Sequence, residues 1–327
     1  MRFGLFIPQG WRLDLADIPP ERQWETMTSV AARADVGPWE SVWVYDHFHT
    51  VPVPTTEATH EAWTLMAALA PVTSRVRLGQ MCTAISYRNP AYLAKVAATV
   101  DVISGGRVEM GIGAGWYEQE WRAYGYGFPP ARERLGRLRE GVQIMRQAWA
   151  EGAATLDGEY YQVNEARVYP KPLQANGIPL WIAGGGEKVT LRIAARYAQY
   201  TNFDGTLDGF RGKSQILRDH CADVGTDYDA IVRSANYNVV IAETEAQVET
   251  KLQQIEDKLV HFAGDAGRAS MGAYRGMPAV GTPEQIVANL SALRDAGMGY
   301  AICYFPDAAY DPASIELFER EVVPQLA

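Results

Sequence analysis

Short apolar runs and amphipathic helix-like runs alternate along the whole of this chain, and that alternation most narrows its fold. The apolar runs predict strands at Arg2–Ile7, Ser41–Tyr45, Val76–Cys82, Val108–Ile112, Leu180–Ala183, Tyr200–Phe203, Ser234–Ala242 and Tyr300–Phe305. Periodic segments between and after them predict helices at Pro20–Val36, Glu61–Val72, Pro90–Ile103, Arg132–Ala150, Lys188–Tyr197, 208–223, Ala246–Phe262, Pro283–Ala296 and Ile315–Gln325. Pro90 sits in the first turn of its segment, where a missing N–H costs nothing. Eight strands, each followed by a helix, in 327 residues predict an α/β fold of the (β/α)8 TIM-barrel type. An open, doubly wound sheet is the other arrangement compatible with the pattern.

Two stretches interrupt it. Asp157, Gly158, Pro170, Pro172 and Gly177 mark turns within 151–179, where a small hairpin is expected around Tyr160, Tyr161 and Arg167–Tyr169. Gly264–Gly281 reads as a loop-rich insertion. No linker divides the sequence, so one domain is expected over 1–327.

The net charge of −9, from 39 acidic and 30 basic residues, argues against nucleic acid or an anionic membrane surface as the main partner. Cys82, Cys221 and Cys303 are odd in number and widely spaced, which disfavours a disulfide framework or a structural zinc site. The opening run Met1–Pro8 is too short for a signal peptide, and no run is long enough to span a membrane. A reduced, cytoplasmic protein is expected.

In a barrel of this kind, chemistry sits at the C-terminal ends of strands. The second predicted strand ends in Val44-Tyr-Asp-His-Phe48. Asp46 beside His47 makes an acid/base candidate, since imidazole titrates near neutrality; the plainer alternative is a capping aspartate and a packed histidine. His47 and His49 find no third ligand nearby, so no metal is expected. The fourth strand runs into Gly111-Ile-Gly-Ala-Gly-Trp116, either a tight turn or a loop that lets a ligand approach the backbone. Gly184, Gly185 and Gly186, followed by Lys188, are placed to cradle a phosphate at a helix start, or to form a simple turn. No GxxxxGK[ST], GxSxG or HExxH motif occurs.

Taken together, Val42–Phe48, Tyr87-Arg-Asn-Pro90, Asp101-Val-Ile-Ser-Gly-Gly-Arg107, Gly113-Ala-Gly-Trp116, Glu187–Arg192 with Ala195–Ala198, and Gly281-Thr-Pro-Glu284 resemble the luciferase-like monooxygenase family, in the branch that uses the deazaflavin coenzyme F420. The resemblance covers nearly the full length and implies a (β/α)8 barrel with the coenzyme at the C-terminal mouth. It implies a cis peptide at Met81–Cys82 against the middle of the coenzyme ring, with Thr83 in reach of it. By the same resemblance His47 is the proton donor or acceptor at the hydride-transfer position, and Asp46 binds the ring edge or orients its neighbours. Gly113 and Ala114 match a backbone contact to the coenzyme tail, and Gly184–Gly186 match the phosphate-binding loop. Where the family's sugar-phosphate dehydrogenases carry a glutamate, this chain has Trp116, which implies a more apolar substrate pocket.

The implied activity is hydride transfer between F420 and a small organic substrate with a C=C, C=N or C=O bond. The alternative on the same fold is an FMN-dependent monooxygenase. A flavin-binding protein without turnover is disfavoured by the presence of Asp46 and His47. A homodimer is expected, with the helix predicted at Glu61–Val72 as its interface or simply as cover for the barrel.

Overall fold

The computed structural model describes residues 1–327. Eight parallel strand positions make the main sheet: β1 (Arg2–Phe6), β2 (Ser41–Val44), β3 (Arg77–Gln80), β4 (Val108–Gly113), β5 (Leu180–Ala183), β6 (Tyr200–Asn202), β7 (Val232–Asn238) and β8 (Met298–Tyr304). Their order in the sheet is β3-β2-β1-β8-β7-β6-β5-β4, and a further β3–β4 pairing closes it. The fold is a (β/α)8 TIM barrel. No helix is long and apolar enough to cross a membrane.

By contacts the chain forms two compact units. One holds residues 1–61, 203–213 and 233–327, and within it β1 pairs with β2 (Leu5 opposite Val42) and with β8 (Phe3 opposite Ala301). The β7–β8 ladder places Tyr237 opposite Cys303. Strand and helix are joined here by a buried ring cluster. Trp39 stacks on Phe318 with centroids 5.8 Å apart, and Phe3 and Phe305 each meet Phe318 edge-on at 5.6 Å.

The other unit holds residues 62–202 and 214–232. Here β4 lies between β3 and β5, with Gly111 opposite Trp181, and Trp181 opposite Tyr200 on β6. Trp181 stacks on Tyr200 at 4.0 Å, and its indole N–H donates to the buried Glu109 at 2.6 Å. The Asp101–Arg107 motif proves structural. Asp101 accepts from the backbone of Val108 and Leu173 and from Gln174, while Arg107 donates to the carbonyls of Ala70, Thr73 and Val76. Each such bond satisfies a backbone group that a loop would otherwise leave unpaired.

Several expectations need correction. The third strand does not run unbroken to Cys82: it stops at Gln80, and after a cis Met81–Cys82 peptide the segment Thr83–Ala84 resumes pairing with β4. The segment Glu61–Val72 is helical only over Ala62–Leu69, and Pro71 tightens the rest into a 3₁₀ turn. Its apolar residues Trp63, Leu65, Met66 and Leu69 are buried within the chain. Gly264–Gly281 is not loop-rich: the helix Glu245–Ala269 continues past a kink at Gly264, and Ser270–Ala273 adds a 3₁₀ turn. Tyr160 and Tyr161 lie in the turn of the hairpin, whose strands are Ala153–Asp157 and Gln162–Arg167. The predicted strand Ser234–Ala242 divides: β7 ends at Asn238, and Val240–Ile241 pairs instead with Val280–Gly281. A short helix, Glu118–Ala123, is an addition that the glycine-rich approach had masked.

Candidate active site

Within the unit that holds β1 and β2, the C-terminal ends of those strands are tied by one buried side chain. Gln9 donates from Nε2 to the Tyr45 carbonyl at 2.8 Å and to the His60 carbonyl at 2.5 Å, and accepts from the Tyr45 amide at 2.7 Å. That amide-to-backbone clasp fixes the residue before Asp46 and His47. Asp46 is buried and His47 half-buried.

The His47 imidazole lies face to face with the Trp11 indole, with centroids 4.1 Å apart and planes within 1°. Trp11 is 6% exposed, packs against Tyr45 at 4.3 Å, and leaves its Nε1 without a hydrogen-bond partner. Its position is therefore set by ring packing rather than by a hydrogen bond. The Arg12 guanidinium lies 5.1 Å from the Trp11 ring centroid and 4.9 Å from that of Tyr304. Burial pushes the Tyr45 phenol well above its ordinary range, with the Arg12 charge opposing, so it stays neutral.

Within the other unit, Met81 and Cys82 are joined by the cis peptide, and Thr83, fully buried, donates to Gln80 Oε1 at 2.6 Å. Gln80 Nε2 is buried without a partner. Two glycines of β4 make room for this turn. A Cβ on Gly111 would stand 1.9 Å from the Gln80 carbonyl oxygen, and one on Gly113 would stand 2.8 Å from Cys82 Sγ. The glycine-rich run is thus required first by the close approach of β3, which the sequence reading had not recognised. Ala114 follows directly, half-exposed.

Trp116 is 63% exposed and stacks on Tyr117 at 5.2 Å. Glu120, fully buried, accepts from the Tyr87 hydroxyl at 2.7 Å. Gly184 and Gly186 are exposed and Gly185 half-exposed. They do not open a helix directly: Glu187–Val189 form a turn first, and the helix begins at Thr190 rather than Lys188. The Gly184 amide donates to the Asn202 carbonyl at 2.8 Å, so only part of the loop's amide set is free for a ligand. No group of three or more His, Cys, Asp or Glu side chains is arranged to hold a metal ion.

The structure thus stacks His47 on Trp11, with Arg12 over that indole, clasps Tyr45 by Gln9, and sets Cys82 against Gly113. Gln9, Trp11 and Arg12 escaped the sequence reading. Their one signal was position, just beyond the end of β1, where a barrel places its chemistry.

Comparison with known proteins agrees with this architecture. The chain is 35% identical over 176 residues to an F420-dependent glucose-6-phosphate dehydrogenase of Amycolatopsis mediterranei, a match spanning 53% of this chain and 50% of that relative's length. It is 29% identical to the enzyme of the same name from Segniliparus rotundus, covering 88% of this chain and 90% of the relative. In fold it is similar to the F420-dependent tetrahydromethanopterin reductase of Methanopyrus kandleri, with a TM-score of 0.78 at 20% identity, covering 100% of this chain and 99% of that one. Residues 1–299 match the model of the luciferase-like monooxygenase family, and with half the chain and more so matched, the protein belongs to that family.

Proposed function

We propose that this protein is an F420-dependent oxidoreductase that moves a hydride between the deazaflavin and a small organic substrate carrying a C=C, C=N or C=O bond. The observation that carries the reading is His47, held in a fixed plane just past β2 by Trp11 and Gln9, in a family whose relatives named above are F420 enzymes. Reduced F420 supplies two electrons as hydride and reacts poorly with oxygen, so the protein's part is binding, orientation and proton management.

His47 gives or takes the proton that accompanies the hydride, and Asp46 holds the ring edge. The Met81–Cys82 peptide backs the ring, with Thr83 and the unpaired donor of Gln80 beside it; an acceptor-bearing ring edge satisfies that buried N–H. The backbone of Gly113 and Ala114 receives the coenzyme tail, and Gly184, Gly185 and Gly186 its phosphate. Trp116 walls the substrate side. An indole where sugar-phosphate dehydrogenases of the family carry a carboxylate argues against a sugar phosphate as substrate. A homodimer in solution belongs to the same reading and is read by sedimentation.

A second reading follows from the family's own description: reduced FMN and oxygen on the same barrel would make a monooxygenase. Titration of the protein with F420 and with FMN, oxidised and reduced, separates the two. Tight binding of F420, with hydride transfer to or from a carbonyl or enone and no oxygen uptake, is expected. Preference for reduced FMN with oxygen consumption overturns it.

A further inference from the structure

A cavity of about 350 Å³ opens within the unit that holds β1, β2, β7 and β8, between the residues that follow β7 and β8 and the helix Glu245–Ala269. That volume is at the small end of ligand sites. Val240, Ile255 and Leu259 give it apolar walls. Its charged lining is three cations, Arg12, Lys251 and Lys258, against two carboxylates, Asp307 and Asp311.

The cations are not equivalent. Lys251 is committed, with its ammonium 2.7 Å from Asp307 Oδ2 and from Ser314 Oγ. Asp311 accepts from the Ala313 amide at 3.0 Å. Arg12 and Lys258 have no carboxylate within ion-pair distance, though Asp14 acts on both through space. Arg12 donates to the neutral Asn238 Oδ1 at 2.5 Å and keeps a buried Nε without a partner. Lys258 donates to the Tyr310 hydroxyl at 2.7 Å and lies 4.2 Å from that ring's centroid. Burial pushes the Lys258 ammonium below its ordinary range, while Asp14, Asp17 and Glu57 act on it through space in the other sense. Asp14 is itself buried and accepts from the Gly10 amide at 2.6 Å; burial pushes its carboxyl up, while that hydrogen bond and the charges of Lys258 and Arg12 act the other way.

Two half-buried cations with no carboxylate at ion-pair distance, acted on by Asp14 only through space, leave room beside an apolar hollow for an anion that would complete the pair. We propose that this cavity binds the carboxylate of a small organic acid, held by Arg12 and Lys258, with its hydrocarbon body against Val240, Ile255 and Leu259. The lining's excess of one positive charge matches a carboxylate rather than a doubly charged phosphate. Arg12 also lies over Trp11, which stacks on His47, so the site is two side chains from the proposed proton carrier. Its role as the seat of the substrate's acid group rests on the oxidoreductase reading; the binding itself does not.

Calorimetric titration of the protein with hexanoate, hexanamide and inorganic phosphate tests this. Hexanoate is expected to bind saturably, and at least about tenfold more weakly to Lys258→Met, the loss of one charge-assisted hydrogen bond. Hexanamide is expected to bind that much more weakly to the wild type. Ile255→Trp, which fills the hollow without touching a charge, is expected to abolish binding while the melting temperature shows the variant folded. No hexanoate binding to the wild type, or binding indifferent to both variants, overturns the site. Phosphate binding as tightly as hexanoate overturns the carboxylate assignment. Hexanoate binding that depends on Lys258, in a protein that binds no F420, upholds the site and removes the oxidoreductase reading instead.

Discussion

Trp11 and His47 lie face to face, 4.1 Å apart and within 1° of parallel, joining the loop after β1 to the end of β2. Two flat rings so placed leave the imidazole little freedom to tilt out of its plane. A proton carrier gains from such fixed orientation because misplacement by about an ångström can cost roughly a hundredfold in rate. Trp11→Leu fills most of the volume without the stacked face. Its kcat is expected to fall about tenfold with coenzyme affinity held within about twofold, and Trp11→Phe to restore most of the loss. For comparison, His47→Gln is expected to lose about 10²–10⁴ in kcat. Steady-state kinetics with separate coenzyme titrations reads both. Equal losses in Trp11→Leu and Trp11→Phe would show that stacking is not what matters.

Gln9 holds two backbone groups of Tyr45 and the carbonyl of His60 from one buried side chain. Gln9→Leu leaves the Tyr45 amide and carbonyl without that partner. The expected loss is about 2–3 kcal/mol of stability by denaturant titration, since an orphaned buried donor costs its desolvation in full. An unchanged midpoint would mean that other groups take over the clasp.

Gly111 leaves no space for a methyl group, because a Cβ there would stand 1.9 Å from the Gln80 carbonyl oxygen. Gly111→Ala must therefore push β3 away from β4. A destabilisation of about 3 kcal/mol is expected by thermal melting, a large value for adding one carbon. Gly113→Ala meets only the Cys82 sulfur, and is expected to weaken coenzyme binding more than it lowers the melting temperature.

His60 gives the fold a pH dependence of predictable sign. Burial pushes its imidazole below the ordinary value, while its Nε2 shares a 2.8 Å hydrogen bond with Gln23 Oε1. The unfolded chain then binds the proton more readily than the native one. Stability is intact above the unfolded pKa, near 6.5, and is lost as pH falls from there toward the depressed native value. Chemical denaturation at about pH 7 and about pH 5.5 should show a smaller acid-side loss in His60→Gln than in the wild type. An identical loss would place the acid sensitivity elsewhere.

Sequence pattern was most reliable where local chemistry decides a boundary. Pro20–Val36 and Pro90–Ile103 have the bounds that their proline starts indicate, and Asn89 caps the second through two backbone amides. Glycine misled at 264–281, because Gly264 interrupts a helix without ending it. The cis peptide at Met81–Cys82 came from family resemblance, and the break it makes in β3 was not legible, since an apolar run reads as one strand whether or not it turns. Asp46 and His47 were legible as neighbours in sequence. Their supports, Gln9, Trp11 and Arg12, lie some 35 positions away and meet them only because β1 and β2 pair side by side. The lysines of the cavity, on a helix after β7, are more distant still.

The division of the chain between its two units bears on the order in which it can be made. Residues 62–202 and 214–232 draw on one nearly continuous run, so that unit can gather its contacts while synthesis is still under way. β1 and β2 leave the ribosome before the other strands of the barrel, yet one edge of β1 stays open until β8, at Met298–Tyr304, has been added. Until then the apolar strand Arg2–Phe6 is an uncapped edge, the kind of surface that seeds pairing between nascent chains. Yield in the cell would then depend on holding that first strand apart until the last arrives, a demand set by topology and independent of how stable the finished barrel is.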